Sequence, residues 1–148
     1  MGIALKKRGF TIIELLVVLG IIGLMAAIAM VLFSPSAAKG RDARREEDIK
    51  SVQSALNLYI NQKNVYPVCQ QETAIDGSND CLSSLLLSEG AIKTMPLDPK
   101  YTGSGSCGGA NSFLYCYQSA DGISYTIRYF LETNSIRGKN PGWQTVNP

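Results

Sequence analysis

The sequence contains no histidine. That removes the commonest general base and the commonest metal ligand together. No phosphate-binding loop and no carboxylate pair with a clear acid/base arrangement stands in for it, so the chain is expected not to be an enzyme. Asp98 and Asp121 lie in turn-forming surroundings and are read as turn formers. A positive excess is missing too. Formal net charge is +2, and setting aside Lys6, Lys7 and Arg8 leaves eleven basic residues (fourteen less three) against twelve acidic ones. Charge therefore gives no support for a nucleic-acid partner, and none is expected.

What is present is unevenly spread. Mean hydropathy is near zero at +0.03, yet the apolar content is concentrated near the N-terminus, which leaves roughly 100 residues for one small domain. From Leu15 to Phe33 there are nineteen consecutive uncharged residues, enough helix to cross the hydrocarbon core of a bilayer. One carboxylate, Glu14, sits at the start of that run, where burial in lipid costs on the order of 3 kcal/mol or more unless it is paired. A secretory signal fits poorly. The run exceeds the usual ~7 to 15 residues, carries an acid at its start and is not followed by an evident Ala-x-Ala site. A membrane anchor fits better, with Lys6, Lys7 and Arg8 staying cytoplasmic and everything after Phe33 on the far side. Lys39, Arg41, Arg44 and Arg45 beyond the span oppose that orientation, though Asp42, Glu46, Glu47 and Asp48 are interleaved with them.

The stretch Gly9-Phe10-Thr11-Ile12-Ile13-Glu14-Leu15-Leu16-Val17-Val18 resembles the class III signal of type IV pilins and type II secretion pseudopilins. In that family a short basic leader ends in Gly, a Phe becomes the first mature residue, and a Glu follows four residues later. The resemblance implies that a prepilin peptidase cuts between Gly9 and Phe10 and methylates the new amine of Phe10. It implies further that Glu14 is the assembly carboxylate, facing a neighbouring subunit's Phe10 ammonium, so that two buried charges offset each other's desolvation. Partners implied are identical or homologous pilin subunits, the peptidase, an inner-membrane assembly platform, and the lipid bilayer before assembly. Within the span, Gly20, Gly23, Ala26, Ala27 and Ala29 are small enough for close helix approach. The Pro that the family often carries in the second half of this helix is absent; Pro35 comes later.

After Pro35 the helix is expected to resume through about Asn61. Ile49, Val52, Leu56 and Tyr59, with Ile60 beside them, recur at three- and four-residue spacing and need a sheet to cover them. Residues 40–48 show no such stripe and are mixed in sign. They read either as a solvated helix face, with Arg44 reaching Asp48 at i,i+4, or as an electrostatic contact between subunits. Asn64 and Pro67 end the helix, Asn because it tolerates the left-handed conformation. Tyr66-Pro67 resembles the segment closing the long helix in major pseudopilins, with Asn64 where that group usually has Gly.

Four cysteines follow: Cys69, Cys81, Cys107 and Cys116. In an exported domain two disulfides are the default, with three connectivities. Cys69 with Cys81 and Cys107 with Cys116 is favoured, since each pair closes a short loop and the pairs do not cross. A zinc site is the alternative, but no Cys-x-x-Cys spacing and no His support it. Residues 82–90 read as a short helix ended by Gly90. Pro96-Leu97-Asp98-Pro99 runs extended and resembles the stretch leading into the sheet of major pseudopilins. Residues 101–111 form a Gly-rich loop, either an exposed filament surface or a tolerated insertion. Residues 113–117 and 125–132 read as an antiparallel hairpin about Asp121-Gly122, with Tyr125, Ile127, Tyr129 and Leu131 on the face that covers the helical stripe. The tail from Arg137 either adds an edge strand or wraps the sheet, with Trp143 packed against the domain. Calcium is the one cofactor the resemblance raises. Asp121 is the only acid between Asp98 and Glu132, too few for an ion that takes ~6 to 8 oxygens, so no cofactor and no metal is expected.

The expected fold is α+β: a long N-terminal α-helix, membrane-spanning in its first half, packed by its second half on a small antiparallel sheet, the type IV pilin fold. Residues 1–9 are the leader, 10–33 the membrane and filament-core helix, 34–66 its amphipathic continuation and 67–148 the extracytoplasmic part. The expected function is a structural subunit that sits in the cytoplasmic membrane as a single-pass protein and polymerises into a type IV pilus-type filament, extracellular or periplasmic. A pseudopilin of a type II secretion system shares every feature. A single-pass protein with an extracytoplasmic binding domain, and an adhesive or DNA-binding minor pilin, are the remaining alternatives.

Overall fold

The computed structural model describes residues 10–110 and 112–148, without the side chains of residues 31–35. They fall into two units, one within Met1–Ala37 and one at Ala38–Pro148. In chain order the elements are α1 (Ile12–Lys63), β1 (Cys69–Ala74), α2 (Cys81–Ser88), β2 (Cys116–Ser119), β3 (Thr126–Leu131) and β4 (Gly142–Val146). The architecture is α+β, with one four-stranded antiparallel sheet in the order β1-β2-β3-β4. α1 runs through Pro35 without the expected restart. Proline's fixed φ is itself helical, but inside a helix proline removes one backbone donor and crowds the carbonyl four residues before it, a cost of about 3 kcal/mol that the rest of α1 offsets.

Within the second unit the spacing predicted from sequence becomes the core. Ile49, Val52, Leu56 and Tyr59 are buried, and Tyr125, Ile127, Tyr129 and Leu131 are buried opposite them. Alternation along β3 puts its odd-numbered residues inward. Each fully buried Val, Leu or Ile contributes about 1.5–3 kcal/mol. The most deeply buried tyrosines keep a polar partner for their hydroxyls. Tyr117 donates to the Pro67 carbonyl (2.9 Å), Tyr115 to Asp48 (2.7 Å) and Tyr129 to Glu46.

α1 ends where Asn64 takes φ 61°, the left-handed conformation that Asn tolerates. Its N–H bonds back to the Ile60 carbonyl at 2.7 Å. Asp80 caps α2 by accepting from Leu82 N and Ser83 N, and its other oxygen accepts from Asp76 N and Gly77 N. Gly90 ends that turn at φ 67°.

Three elements differ from expectation. The first strand of the expected hairpin begins at Cys116 rather than 113, because Tyr115 already gives its carbonyl to Ile75 N outside the regular ladder. β1 was not foreseen. Its sequence, CQQETA, has little β-propensity, and it forms because an edge strand needs only one neighbour and is pinned at Cys69. The tail resolves as β4, in regular register with β3 from Ile127↔Val146 to Leu131↔Gly142.

Candidate functional site

The first unit carries the residues singled out for assembly. From Ile12 to Met30 no residue is buried. Phe10, Ile12 and Ile13 are 80%, 86% and 67% exposed, and the apolar surface continues round the helix through Leu24, Met25 and Ile28. Water does not tolerate so large a continuous apolar surface, so lipid or protein must cover it. A Cβ at Gly20 or Gly23 would meet nothing within 4 Å, which leaves notches for a second helix. Gly9, on the expected cleavage bond, lies outside the described residues.

Glu14 is held at the start of α1. Thr11 N and Thr11 Oγ1 each donate to Glu14 Oε2 at 3.4 Å, and Glu14 N donates to Thr11 Oγ1 at 3.3 Å. This reciprocal pair is a capping box, legible in the sequence as Thr-x-x-Glu. It orients the carboxylate at the positive end of the helix while using only one of its two oxygens.

In the second unit the mixed-charge stretch 40–48 has two faces: Gly40, Ala43, Arg44 and Glu47 are exposed, whereas Asp42 and Arg45 turn inward. Arg45 and Asp42 are fully buried. Arg45 Nε and Nη2 donate to the two oxygens of Asp98 at 2.6 and 2.9 Å, and Nη1 donates to Asp42 at 2.8 Å and Glu132 at 2.7 Å. Arg41 closes a second fork on Glu132 at 2.7 and 2.8 Å, and Lys100 reaches Glu132 at 3.2 Å. Asp42 also accepts from Glu132 N, Thr133 N and Thr133 Oγ1. Three cations and three carboxylates balance, and planar forks supply the geometry that burial of charge demands. The network ties α1, the extended segment at Asp98 and the end of β3 together.

Its electrostatics follow from these contacts. The Arg41 fork, helped by Arg45 and Lys100, outweighs burial and holds Glu132 down at about 2, against its usual 4.5. Burial pushes Asp42 up, but bonds from Glu132 N, Thr133 and Arg45 bring it below its ordinary value. Asp48 goes the other way, raised by burial. It accepts from Tyr115 instead of taking Arg44 as its close partner. Asp98 does form its turn, accepting from Lys100 N at 2.8 Å, and it also anchors Arg45. The sequence reading missed this use. The signal was there: the three- and four-residue stripe of Ile49, Val52, Leu56 and Tyr59 extends backward onto Arg45 and Asp42, opposite charges at inward positions.

The structure joins Cys69 to Cys81 and Cys107 to Cys116. Glu72 lies with Cys107 and Cys116, all ligand atoms within 4.8 Å of one another, but sulfurs spent in a disulfide do not bind metal. Asp121 accepts from Ile123 N and Ser124 N. These two bonds draw its carboxyl below the usual value.

The prokaryotic N-terminal methylation motif matches residues 5–32. Type II secretion system core protein G of Escherichia coli is 31% identical over 97 residues, covering 64% of this chain and 67% of that protein. The core protein G of Pseudomonas aeruginosa is 32% identical over 99 residues, covering 64% and 68%. The type IV major pilin protein PilA of Myxococcus xanthus is 34% identical over 61 residues, covering 41% of this chain and 28% of the pilin. No solved structure matches.

Proposed function

The chain belongs to the type IV pilin and type II secretion pseudopilin family, and from that premise we propose that it is a structural subunit polymerising through its N-terminal helix into a type IV pilus-type filament. The observation that carries this reading is the apolar surface of residues 12–30, none of it buried, with a single carboxylate held at its first turn. Lipid covers that surface in the stored subunit. Neighbouring helices cover it in the filament, approaching closely at Gly20 and Gly23.

In this reading prepilin peptidase cuts Gly9–Phe10, methylates Phe10 and leaves an ammonium at the level of a neighbour's Glu14. The two disulfides suit an extracytoplasmic domain. The test is mass spectrometry of the protein purified from membranes, together with assembly of Glu14→Ala. The mature chain should begin at a methylated Phe10, and the variant should be processed but not assembled. An intact Gly9–Phe10 bond, or assembly of Glu14→Ala at the parental level, overturns the reading.

A second reading, a type II secretion pseudopilin, is favoured by the extent of similarity. The two core G proteins align over 97 and 99 residues, whereas the Myxococcus pilin aligns over 61. Deletion of the gene separates the two: loss of protein secretion with surface filaments intact supports the pseudopilin, and loss of filaments the pilin.

A further inference from the structure

Three apolar side chains adjoin on the surface at one end of the second unit. Val65 and Val68 follow the C-terminal end of α1 and are half-exposed, and Ile123, on the turn between β2 and β3, is 78% exposed. They are neighbours in space: a Cβ at Gly122 would stand 3.3 Å from Val65 Cβ and 3.2 Å from Val68 Cγ2. The turn that carries Ile123 is held without help from its side chain. Tyr66 N donates to the Gly122 carbonyl at 2.8 Å, Gly122 N to Ser119 Oγ at 3.2 Å and Ser119 Oγ to the Ser124 carbonyl at 2.7 Å, while Asp121 accepts from Ile123 N and Ser124 N. Single exposed apolar side chains are ordinary, but three adjoining ones on a rigid support form an anchor that binding need not order.

The other end of α1 in this unit, roughly 35 Å of helix away, offers the complementary surface. Lys39, Gly40, Ala43 and Arg44 are exposed there and are neighbours on the helix at three- and four-residue spacing. A Cβ at Gly40 would meet nothing within 4 Å, so a shallow notch lies between two cations, open to an apolar knob. Neither Lys39 nor Arg44 forms an ion pair among the described residues, and neither does Asp121, which is exposed and stands two residues from Ile123. An acid beside the knob and cations beside the notch match in sign.

We propose that these two ends dock head to tail between copies of the chain: Val65, Val68 and Ile123 of one copy seat on Gly40 and Ala43 of a second, and Asp121 of the first faces Lys39 and Arg44 of the second. Two different surfaces make a heterologous contact, which repeats from copy to copy and builds an open-ended assembly when the rotation does not close. The inference rests on the filament reading above and adds to it a contact outside the apolar helices. It also gives the exposed face of residues 40–48 a use. Asp42 and Arg45 are consumed in the buried network, whereas Arg44 on the other face is left to meet a neighbour.

The experiment uses the full chain in its native host and reads the filament fraction. With Ile123→Cys and Ala43→Cys in one chain, oxidation by copper phenanthroline should give a ladder of covalent dimers, trimers and larger species on non-reducing gels, whereas each single variant should stop at the dimer. As a second measurement, Ile123→Lys should lower assembly about tenfold or more, because it sets a cation against Lys39 and Arg44 and removes the apolar knob. Thermal unfolding of the purified variant should match the parent, since the Ile123 side chain is exposed. Adding Lys39→Glu and Arg44→Glu to that chain should restore assembly. Filaments at the parental level without a ladder, or with Ile123→Lys, overturn the contact and leave the filament reading standing. A block that the reversed charges do not relieve puts another partner on the patch and overturns the second copy as its occupant. A parent that forms no filament overturns both readings.

Discussion

Replacing Arg45 by Ala would leave Asp42 and Asp98, both fully buried, without the cation they enclose. Breaking a buried pair by removing one partner costs about 3–5 kcal/mol, chiefly because the surviving charge stays out of water. Against a total stability on the order of 5–15 kcal/mol that is a large fraction. Arg45→Lys should lose nearly as much, since a point charge cannot bridge both oxygens of Asp98 while also meeting Asp42 and Glu132. Guanidinium unfolding of the full chain in detergent, followed by Trp143 fluorescence, measures the loss. The pH dependence sharpens the test. In the parent, Glu132 titrates at about 2 rather than 4.5, so its stabilisation is complete above about 4.5. It is lost as pH falls toward 2, by about 3 kcal/mol at most. In Arg45→Ala, Asp42 and Glu132 each lose one of the contacts that hold their carboxyls down, so both rise from their parental positions. The deficit against the parent should therefore be greatest at neutral pH and shrink as the solution is acidified. A loss under ~1 kcal/mol, or a deficit that does not change with pH, would refute the claim that Arg45 is the centre of a buried balanced network.

Two local features give further expectations. Asp80→Ala removes the cap of α2 together with the two bonds to Asp76 N and Gly77 N, and thermal unfolding should report a loss of about 1–2 kcal/mol. Asn64→Gly should be close to neutral whereas Asn64→Val should cost about 1–2 kcal/mol, because φ is 61° there and a β-branched side chain resists it; equal stabilities would count against the left-handed helix stop.

The buried network was missed for a physical reason. Pattern reading treats a charged residue as solvated, because isolated burial of charge is too costly. Arg45 is buried because Asp98, 53 positions along the chain, comes back to meet it, and no local window contains both. Phe10, Glu14 and the apolar run needed no such return, since their signal is a fixed spacing within one helix. The helical stop at Asn64 was legible for the same reason, and so was the face of β3, whose alternation is local. β1 was not legible, because an edge strand of polar residues is selected by its neighbour rather than by its own propensity.

The sequence by itself determined the apolar helix with its single acid, the stripe at Ile49, Val52, Leu56 and Tyr59, and the strand that covers it. Each depends on the periodicity of one element. Only the tertiary structure decided that the stripe continues as Asp42 and Arg45, that Asp98 and Glu132 close on them, and that a glycine-rich loop lies over Trp143. Those features depend on which distant segments meet. Desolvation makes an unmet charge costly and a met one tolerable, and that balance exists only once the chain has folded.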